Sequence, residues 1–392
     1  MLCIYDIRTE QGEVSMSKRN LLIVSDSFLP RWDGVSRFLA EVIPRLKQDY
    51  EITVIAPNFP GEHTEIPDVK IIRAPLSRFV IDDLPIAKFS KKLIKPHIEK
   101  ADIVWVQDLS TLGYSAIKLA KKLNKPIISY VHVINWDIVI KSVKAPWFIK
   151  KFIYWFARKF SKRVYNKCNI LMIPTSNIAY VFEKEKITAI KTVVPLGINS
   201  DKFKPPEDKK QAKIDLGFDP EHKIIGYTGR IGREKNLLTL HRAFTSLSKK
   251  YPNAKLLLVG KGPESEEKIF KDKKNIIMTG KKDNVIPFLQ AMDIYVLPSL
   301  TETTSLSTLE AMSCGLPVVV TSLPALKKYI VDKKNGLLFP KENWLVLRKK
   351  LEILLQKPHQ RFDLGQQARK TVIKKYSWDV TVRKIKDVLE KY

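Results

Sequence analysis

Leu297-Pro-Ser-Leu-Thr-Glu302-Thr-Thr-Ser-Leu-Ser-Thr-Leu-Glu310-Ala-Met-Ser-Cys-Gly-Leu-Pro317 is the stretch on which the reading of this chain turns. Residues 293–298 form a short apolar run ended by proline, the pattern of a buried parallel strand. Residues 305–312 have helical character and stop at Gly315, a helix C-cap, before the next strand begins at Pro317. A strand thus feeds a Thr/Ser-rich turn and a helix N-terminus, with one carboxylate before the helix and another two turns into it. Free N–H groups at such a terminus bind anions, and ligands collect at strand C-termini in open α/β sheets. Glu302 and Glu310 stand beside that anion as acceptors for hydroxyl groups, which suggests a nucleotide-sugar site. Without these surroundings, the same pair reads as a helix cap and a solvated helix charge.

The alternation of apolar runs and helical patterns extends along the chain. Candidate strands lie at 21–26, 51–57, 69–75, 102–108, 126–132 and 170–175, with amphipathic stretches such as 34–47 and 112–123 between them. The pattern restarts at 223–228, 254–260, 275–280, 293–298, 317–322 and 336–339. Such βαβ units build parallel sheets. The polar, proline-rich segment 193–206 reads as the link between two halves. Beyond Glu342 the tail reads as helix with a break near Pro358. At 392 residues, two domains are the default. The expected class is α/β, two Rossmann-like doubly wound domains over 18–198 and 199–375 that face an interdomain cleft. Residues 1–17 read as an N-terminal extension, and Met16 as the expected start of translation.

Composition narrows the partners. No apolar run approaches the roughly 20 residues of a membrane span. Cys3, Cys168 and Cys314 show no metal-ligand spacing and fit a reduced, cytoplasmic protein. The balance of 69 Lys+Arg against 41 Asp+Glu, net +28, implies attraction to a polyanion. No nucleic-acid motif accompanies it, so nucleic acid is not an expected partner. The excess has a focus: residues 138–182 contain no acid, while Lys150, Lys151, Arg158, Lys159, Lys162 and Arg163 crowd the middle. There Phe148, Phe152, Phe156 and Phe160 recur four apart. A cationic amphipathic helix of this kind suits an anionic bilayer surface, and a core helix with a solvated basic face fits equally well.

Several motifs carry a resemblance. They are Gly229-Arg230-Ile-Gly-Arg-Glu234-Lys235-Asn236, Val259-Gly260-Lys261-Gly262-Pro-Glu264, Gly280-Lys281-Lys-Asp283 and the Glu302/Glu310 stretch, with Asp26-Ser-Phe-Leu-Pro-Arg-Trp-Asp33-Gly34-Val and Tyr130-Val-His132 in the first half. Together they make the chain similar, from about residue 21 onward, to retaining GT-B-fold glycosyltransferases of family 4. The Asp26 stretch is similar to mannosyl- and glycolipid-forming members.

The resemblance implies the following roles. Arg230 and Lys235 stabilise a diphosphate leaving group, for which fixed cations are the largest available source of stabilisation. No Asp-x-Asp occurs, so no metal and no cofactor is expected. Glu310 binds the ribose hydroxyls and Glu302 lies by the transferred sugar, while Thr303, Thr304, Ser305 and Leu306 offer backbone N–H groups to sugar and phosphates. Gly34 lets backbone approach a phosphate, with Asp33 placed to face the acceptor instead. Gly260, Lys261, Gly262, Lys281 and Asp283 flank the base. His132 contacts the transferred sugar, although a lone strand-end histidine is more often a structural hydrogen-bonder. The closing helix, 376–392, crosses back to the first domain. The implied activity is retaining transfer of a hexose from a UDP- or GDP-sugar to a membrane lipid or lipid-linked glycan, peripherally at the inner membrane face. A nucleotide-sugar epimerase, or a transferase acting on a soluble sugar, is the alternative.

Overall fold

The computed structural model describes residues 18–392 except 32, 64, 82–83, 89–90, 138–145, 272 and 303. The expected start at Met16, the extension over 1–17, Cys3 and Thr303 therefore lie outside the described residues. The chain divides into two compact units, one of Met1–Met172, Phe182–Thr192 and Val388–Tyr392, the other of Ile173–Val181 and Val193–Asp387.

In the first part of the chain the elements run β1 (Arg19–Val24), α1 (Gly34–Leu46), β2 (Tyr50–Pro57), β3 (Val69–Ala74), β4 (Leu76–Ile81), β5 (Leu84–Ala87), α2 (Lys91–Lys100), β6 (Ile103–Val106), α3 (Thr111–Lys122), β7 (Ile127–Tyr130), α4 (Trp147–Tyr165), β8 (Ile170–Ile173), α5 (Ser176–Lys184) and β9 (Ile190–Val193). The sheet order is β3-β2-β1-β6-β7-β8-β9, with β1 parallel to both β2 and β6. Residues 21–24 and all of β6 are buried, because helices on both faces of a parallel sheet demand apolar residues at consecutive positions. Asp33 starts α1 by a capping box: its carboxylate accepts from Val35 N and Ser36 N, and Ser36 Oγ accepts from Asp33 N.

The second part repeats the plan with α6 (Lys209–Ile214), β10 (Lys223–Thr228), a 3-10 turn (Arg233–Lys235), α7 (Leu237–Ser248), β11 (Ala254–Val259), α8 (Glu264–Glu267), β12 (Ile276–Met278), α9 (Ile286–Ala291), β13 (Ile294–Leu297), α10 (Leu306–Ser313), β14 (Val318–Thr321), β15 (Leu337–Phe339), α11 (Trp344–Gln356), α12 (Pro358–Tyr376) and α13 (Trp378–Leu389). Its sheet order is β12-β11-β10-β13-β14-β15, parallel throughout. Both sheets thus reverse order beside their first strand, at β1/β6 and at β10/β13. Lys213 braces the base of the second sheet: its ammonium lies 2.9 Å from Asp293, which also accepts from Ile224 N at 2.8 Å. Removing one partner of so buried a pair costs about 3–5 kcal/mol.

The polar segment expected as a link is tied down locally. Ile198 N donates to Tyr376 O at 2.7 Å, and Thr381 Oγ1 donates to Pro195 O at 2.9 Å. A Cβ on Gly197 would sit 2.5 Å from the Trp378 ring, so only glycine lets that ring pack there.

Three elements differ from the sequence expectation. The β4–β5 hairpin has no counterpart among the expected strands; Ser77 and Arg78 interrupt its apolar run, and it pairs outside both main sheets. The strand β9 ends the larger sheet with Ile190 and Val193 exposed, and an edge strand needs no continuous apolar run. The reading of 147–163 as a core helix is overturned. Trp147, Phe148, Phe152, Trp155 and Phe156 of α4 are exposed, Phe152 at 65%, while only Ser161, Val164 and Tyr165 are buried. Its Phe160 instead meets Tyr114 of α3 at 5.1 Å between rings.

Candidate active site

In the second unit the ends of β10 and β13 meet at the sheet's reversal, where ligands of doubly wound sheets bind. The turn after β10 leads through Gly229 to the 3-10 turn and α7; Asn236, in the left-handed region at φ 50°, separates the two. Lys235 from that turn reaches across to Glu302, Nζ to Oε1 at 2.7 Å, and Ser299 Oγ donates to the same oxygen at 2.8 Å. Leu300 N also donates to Glu234 O, which ties the two loops together by backbone. Side-chain exposure is 22% for Lys235 and 7% for Glu302, so the pair is largely withdrawn from water. Arg230 is different: its guanidinium is 70% exposed and pairs with Glu234 along the turn.

Ser305 Oγ, not Glu302, caps α10, accepting from Thr308 N at 3.3 Å. The N–H groups of Leu306 and Ser307 in the first turn have no partner within the helix by its geometry. Glu310 is not a solvated helix charge; it is 9% exposed. Burial and then the Glu310 charge push the Cys314 thiol up to about 12. The same two causes act on Tyr295, raising its hydroxyl, against hydrogen bonds that include Ser307 Oγ at 2.9 Å. A largely buried carboxylate on an eight-residue helix that follows a strand end is a candidate functional group.

Gly260, Lys261 and Gly262 follow β11. A Cβ on Gly260, at φ 151°, would lie 1.8 Å from Gly229 O, and one on Gly262 would lie 1.8 Å from Ile231 O. Both glycines therefore have a reason internal to the protein: two turns pressed together by their backbones. Gly262 N is already bonded to Glu267 Oε1 at 2.7 Å. Lys261, Lys281 and Asp283 are exposed at the neighbouring strand ends.

In the first unit, Asp33 caps α1 with its side chain 31% exposed. Its carboxylate accepts from the first turn of α1, from Ser27 Oγ and from Arg31 Nε. Burial opposes its charge, yet the hydrogen bonds from Ser27, Ser36 and Arg31 outweigh that and hold its carboxyl below the usual value. Gly34 beside it is exposed, and a Cβ there would meet nothing within 4 Å.

His132 follows β7. Its ring packs against Tyr130 at 4.5 Å and Phe38 at 5.0 Å, and Nε2 lies 3.0 Å from Gln107 Oε1. In the tautomer that pairs Nε2–H with Gln107 Oε1, Nδ1 is the ring's acceptor. Burial pushes the imidazole down to about 3, against the attraction of Asp33. His132 is thus neutral at physiological pH.

Sequence reasoning gave no role to Asp108, Gln107, Ser27 or Ser299. Asp26 and Asp108 end the adjacent strands β1 and β6, at the first sheet's reversal. Asp26 accepts from Leu112 N and Gly113 N of α3, and Asp108 accepts from Asp26 N at 2.9 Å. Burial, then the Asp26 charge, raises the Asp108 carboxyl well above the ordinary carboxylate range. Two aspartates each just past an apolar run were the available signal. Among the described residues, no three His, Cys, Asp or Glu side chains gather into a metal-binding group. No helix among them is long and apolar enough to cross a membrane.

Known proteins resemble this chain in sequence and in fold. The family profile "Glycosyl transferases group 1" matches residues 208–371, and "Glycosyltransferase Family 4" matches residues 32–202. The chain is 26% identical over 344 residues to the α-monoglucosyldiacylglycerol synthase of Acholeplasma laidlawii, spanning 83% of this chain and 85% of that protein. In fold it is similar to sucrose-phosphate synthase from Thermosynechococcus elongatus, with a TM-score of 0.73 at 19% identity over 95% and 99% of the two chains. It is also similar to the Anabaena protein HepE in complex with UDP, with a TM-score of 0.71 at 13% identity over 95% and 100%. The two profiles together take in most of the chain, the sheets are the two Rossmann-like halves of a GT-B fold, and the chain belongs to the family 4, group 1 glycosyltransferases.

Proposed function

We propose that this glycosyltransferase moves a hexose from a nucleoside-diphosphate sugar to a membrane lipid or lipid-linked glycan, with retention at the anomeric carbon and without a metal. The observation that carries the donor half is the Lys235–Glu302 pair at the reversal point of the second sheet. An ammonium has three donors, so Lys235 can hold Glu302 and still offer two to diphosphate oxygens. Arg230 adds a second cation beside it. Both act on charge that develops as the bond from C1 to the phosphate oxygen breaks and its electron pair passes to the leaving group. The acceptor hydroxyl attacks C1 from the same face, and its proton goes to the departing phosphate.

Glu302 accepts its two bonds from protein at Oε1, which leaves Oε2 to accept a sugar hydroxyl. The α10 N-terminus, with Thr304, Ser305 and Leu306, supplies N–H groups, and Glu310 takes the ribose hydroxyls. Gly34, Gly260, Lys261, Gly262 and Lys281 complete the donor contacts. Neutral His132 accepts a hydroxyl of the transferred sugar at Nδ1. UDP in the HepE structure and the glucosyldiacylglycerol product named for the Acholeplasma relative favour a UDP-sugar and a lipid. The exposed aromatics of α4 beside its lysines and arginines suit an anionic bilayer, which supports a peripheral position at the inner face of the membrane.

Thermal unfolding with UDP-, GDP- and ADP-sugars tests the donor reading. At a hundred times its dissociation constant the correct donor adds about 2.7 kcal/mol of stability, and Arg230→Ala or Lys235→Ala removes most of it. A melting temperature unmoved by every nucleotide sugar in the wild-type protein sinks the reading.

A further inference from the structure

A cavity of about 480 Å³ opens between α2 and α3 of the first unit, away from the residues assigned above. Ile94, Tyr114 and Leu119 give it an apolar lining, and Lys91, Lys118 and Lys122 stand around them; no carboxylate is among the lining residues. The arrangement follows from helix periodicity. On α3, Tyr114, Lys118 and Lys122 recur every four residues along one side, and on α2, Lys91 and Ile94 are three apart. Ile94 is fully buried and Leu119 nearly so, whereas the three lysines are exposed.

These two features select a ligand. A polyanion such as nucleic acid needs the lysines and not an apolar floor. A neutral apolar molecule needs the floor and not the lysines. An acyl chain ending in a phosphate or carboxylate needs both, and the volume is that of an ordinary small-molecule site. Tyr114, on the wall, meets Phe160 of α4, the helix whose outer aromatics are exposed. At the other end Thr111 lines the cavity and donates to Asp26 Oδ1 at 3.0 Å, at the end of β1.

We propose that this cavity binds the acyl chain of an anionic lipid, the tail on Tyr114, Leu119 and the lysine stems above buried Ile94, and the anionic head among Lys91, Lys118 and Lys122. The lysine stems lie along the apolar lining while their ammonium groups meet the head. Occupancy joins the lipid to the Thr111–Asp26 contact, and so to the strand end where β1 and β6 diverge.

Fluorescence titration of the full chain with cis-parinaric acid, below its aggregation concentration, tests this. One saturable site is expected. Saturated fatty acids compete with it, each added methylene from eight to fourteen carbons tightening binding about fourfold. Dodecyltrimethylammonium, with the opposite head charge, competes at least tenfold more weakly than laurate. Lys118→Glu with Lys122→Glu weakens binding tenfold or more; Leu119→Trp, which fills the cavity, abolishes it. The surface pair keeps the test decisive if the tryptophan variant fails to fold. Phe148→Ser with Phe152→Ser on α4 leaves binding unchanged. Unsaturable binding, indifference to the lysine reversal, equal competition by the cationic chain, or loss of the site in the α4 variant each overturns the proposal. Nucleotide-sugar melting shifts read the other unit, so either proposal can fail while the other stands.

Discussion

Lys235 Nζ lies 2.7 Å from Glu302 Oε1, joining the turn after β10 to the loop after β13 where the sheet order reverses. Sixty-seven residues separate the two in sequence. The contact gives each loop a fixed position against the other before any ligand arrives.

Because the pair is largely buried, its two halves are coupled energetically. Lys235→Met and Glu302→Gln should each destabilise the protein, while the double variant loses less than their sum. A coupling of about 1–3 kcal/mol is expected from urea unfolding of the four proteins. Additivity within about 0.5 kcal/mol would show that the pair contributes no mutual stability.

Two glycines separate packing from ligand approach. Gly260→Ala forces a Cβ to 1.8 Å from Gly229 O at a left-handed φ and should cost at least about 2 kcal/mol. Gly34→Ala meets nothing within 4 Å and should change stability by less than about 1 kcal/mol. If backbone approach at Gly34 serves the donor, its alanine variant raises the KM for the nucleotide sugar with the melting temperature nearly unchanged. An unaltered KM removes Gly34 from the donor site.

His132 sets an acid-side dependence. Its folded value of about 3 lies below the ordinary 6.5, so between those values the unfolded chain binds the extra proton. This contribution is complete above about pH 6.5 and is lost as pH falls toward 3. Wild type should therefore lose stability relative to His132→Gln between pH 6.5 and 4, in urea midpoints measured at each pH. Parallel curves would mean that the ring titrates normally.

Asp108 has the opposite sign. Its carboxyl is raised in the fold, so the native state holds a proton that the unfolded chain gives up above about pH 3.9. That contribution is complete below pH 3.9 and is lost as pH rises through the folded value. Asp108→Asn should gain on wild type as pH rises from 4 to 7, and a constant difference would mean that the Asp108 carboxyl is not raised in the fold.

The parallel sheets were legible because their strands are buried on both faces, and a run such as Ile294–Leu297 has few other readings. The hairpin β4–β5 and the edge strand β9 were not, since neither must be apolar throughout. Glu302 and Glu310 stood out by their place between strand and helix, but their partners did not. Nothing local marks Lys235 as the cation that meets Glu302, or Ser305 as the residue that caps α10 in place of Glu302. An aspartate beside glycine suits both ligand contact and helix capping, and the unsatisfied N–H groups of α1 take Asp33 as their cap, which nothing local in the sequence foretold. The exposed face of α4 could not be told from a core face by spacing alone, because both require aromatics four apart.

The most direct test is the product itself. Purified protein is incubated with the nucleotide sugar that raises its melting temperature and with anionic liposomes containing diacylglycerol, in excess EDTA, and the glycolipid is analysed by NMR. Transfer should survive EDTA, and the anomeric configuration of the product should match that of the donor. An inverted linkage, or transfer only on return of a divalent cation, would contradict retaining, metal-independent transfer.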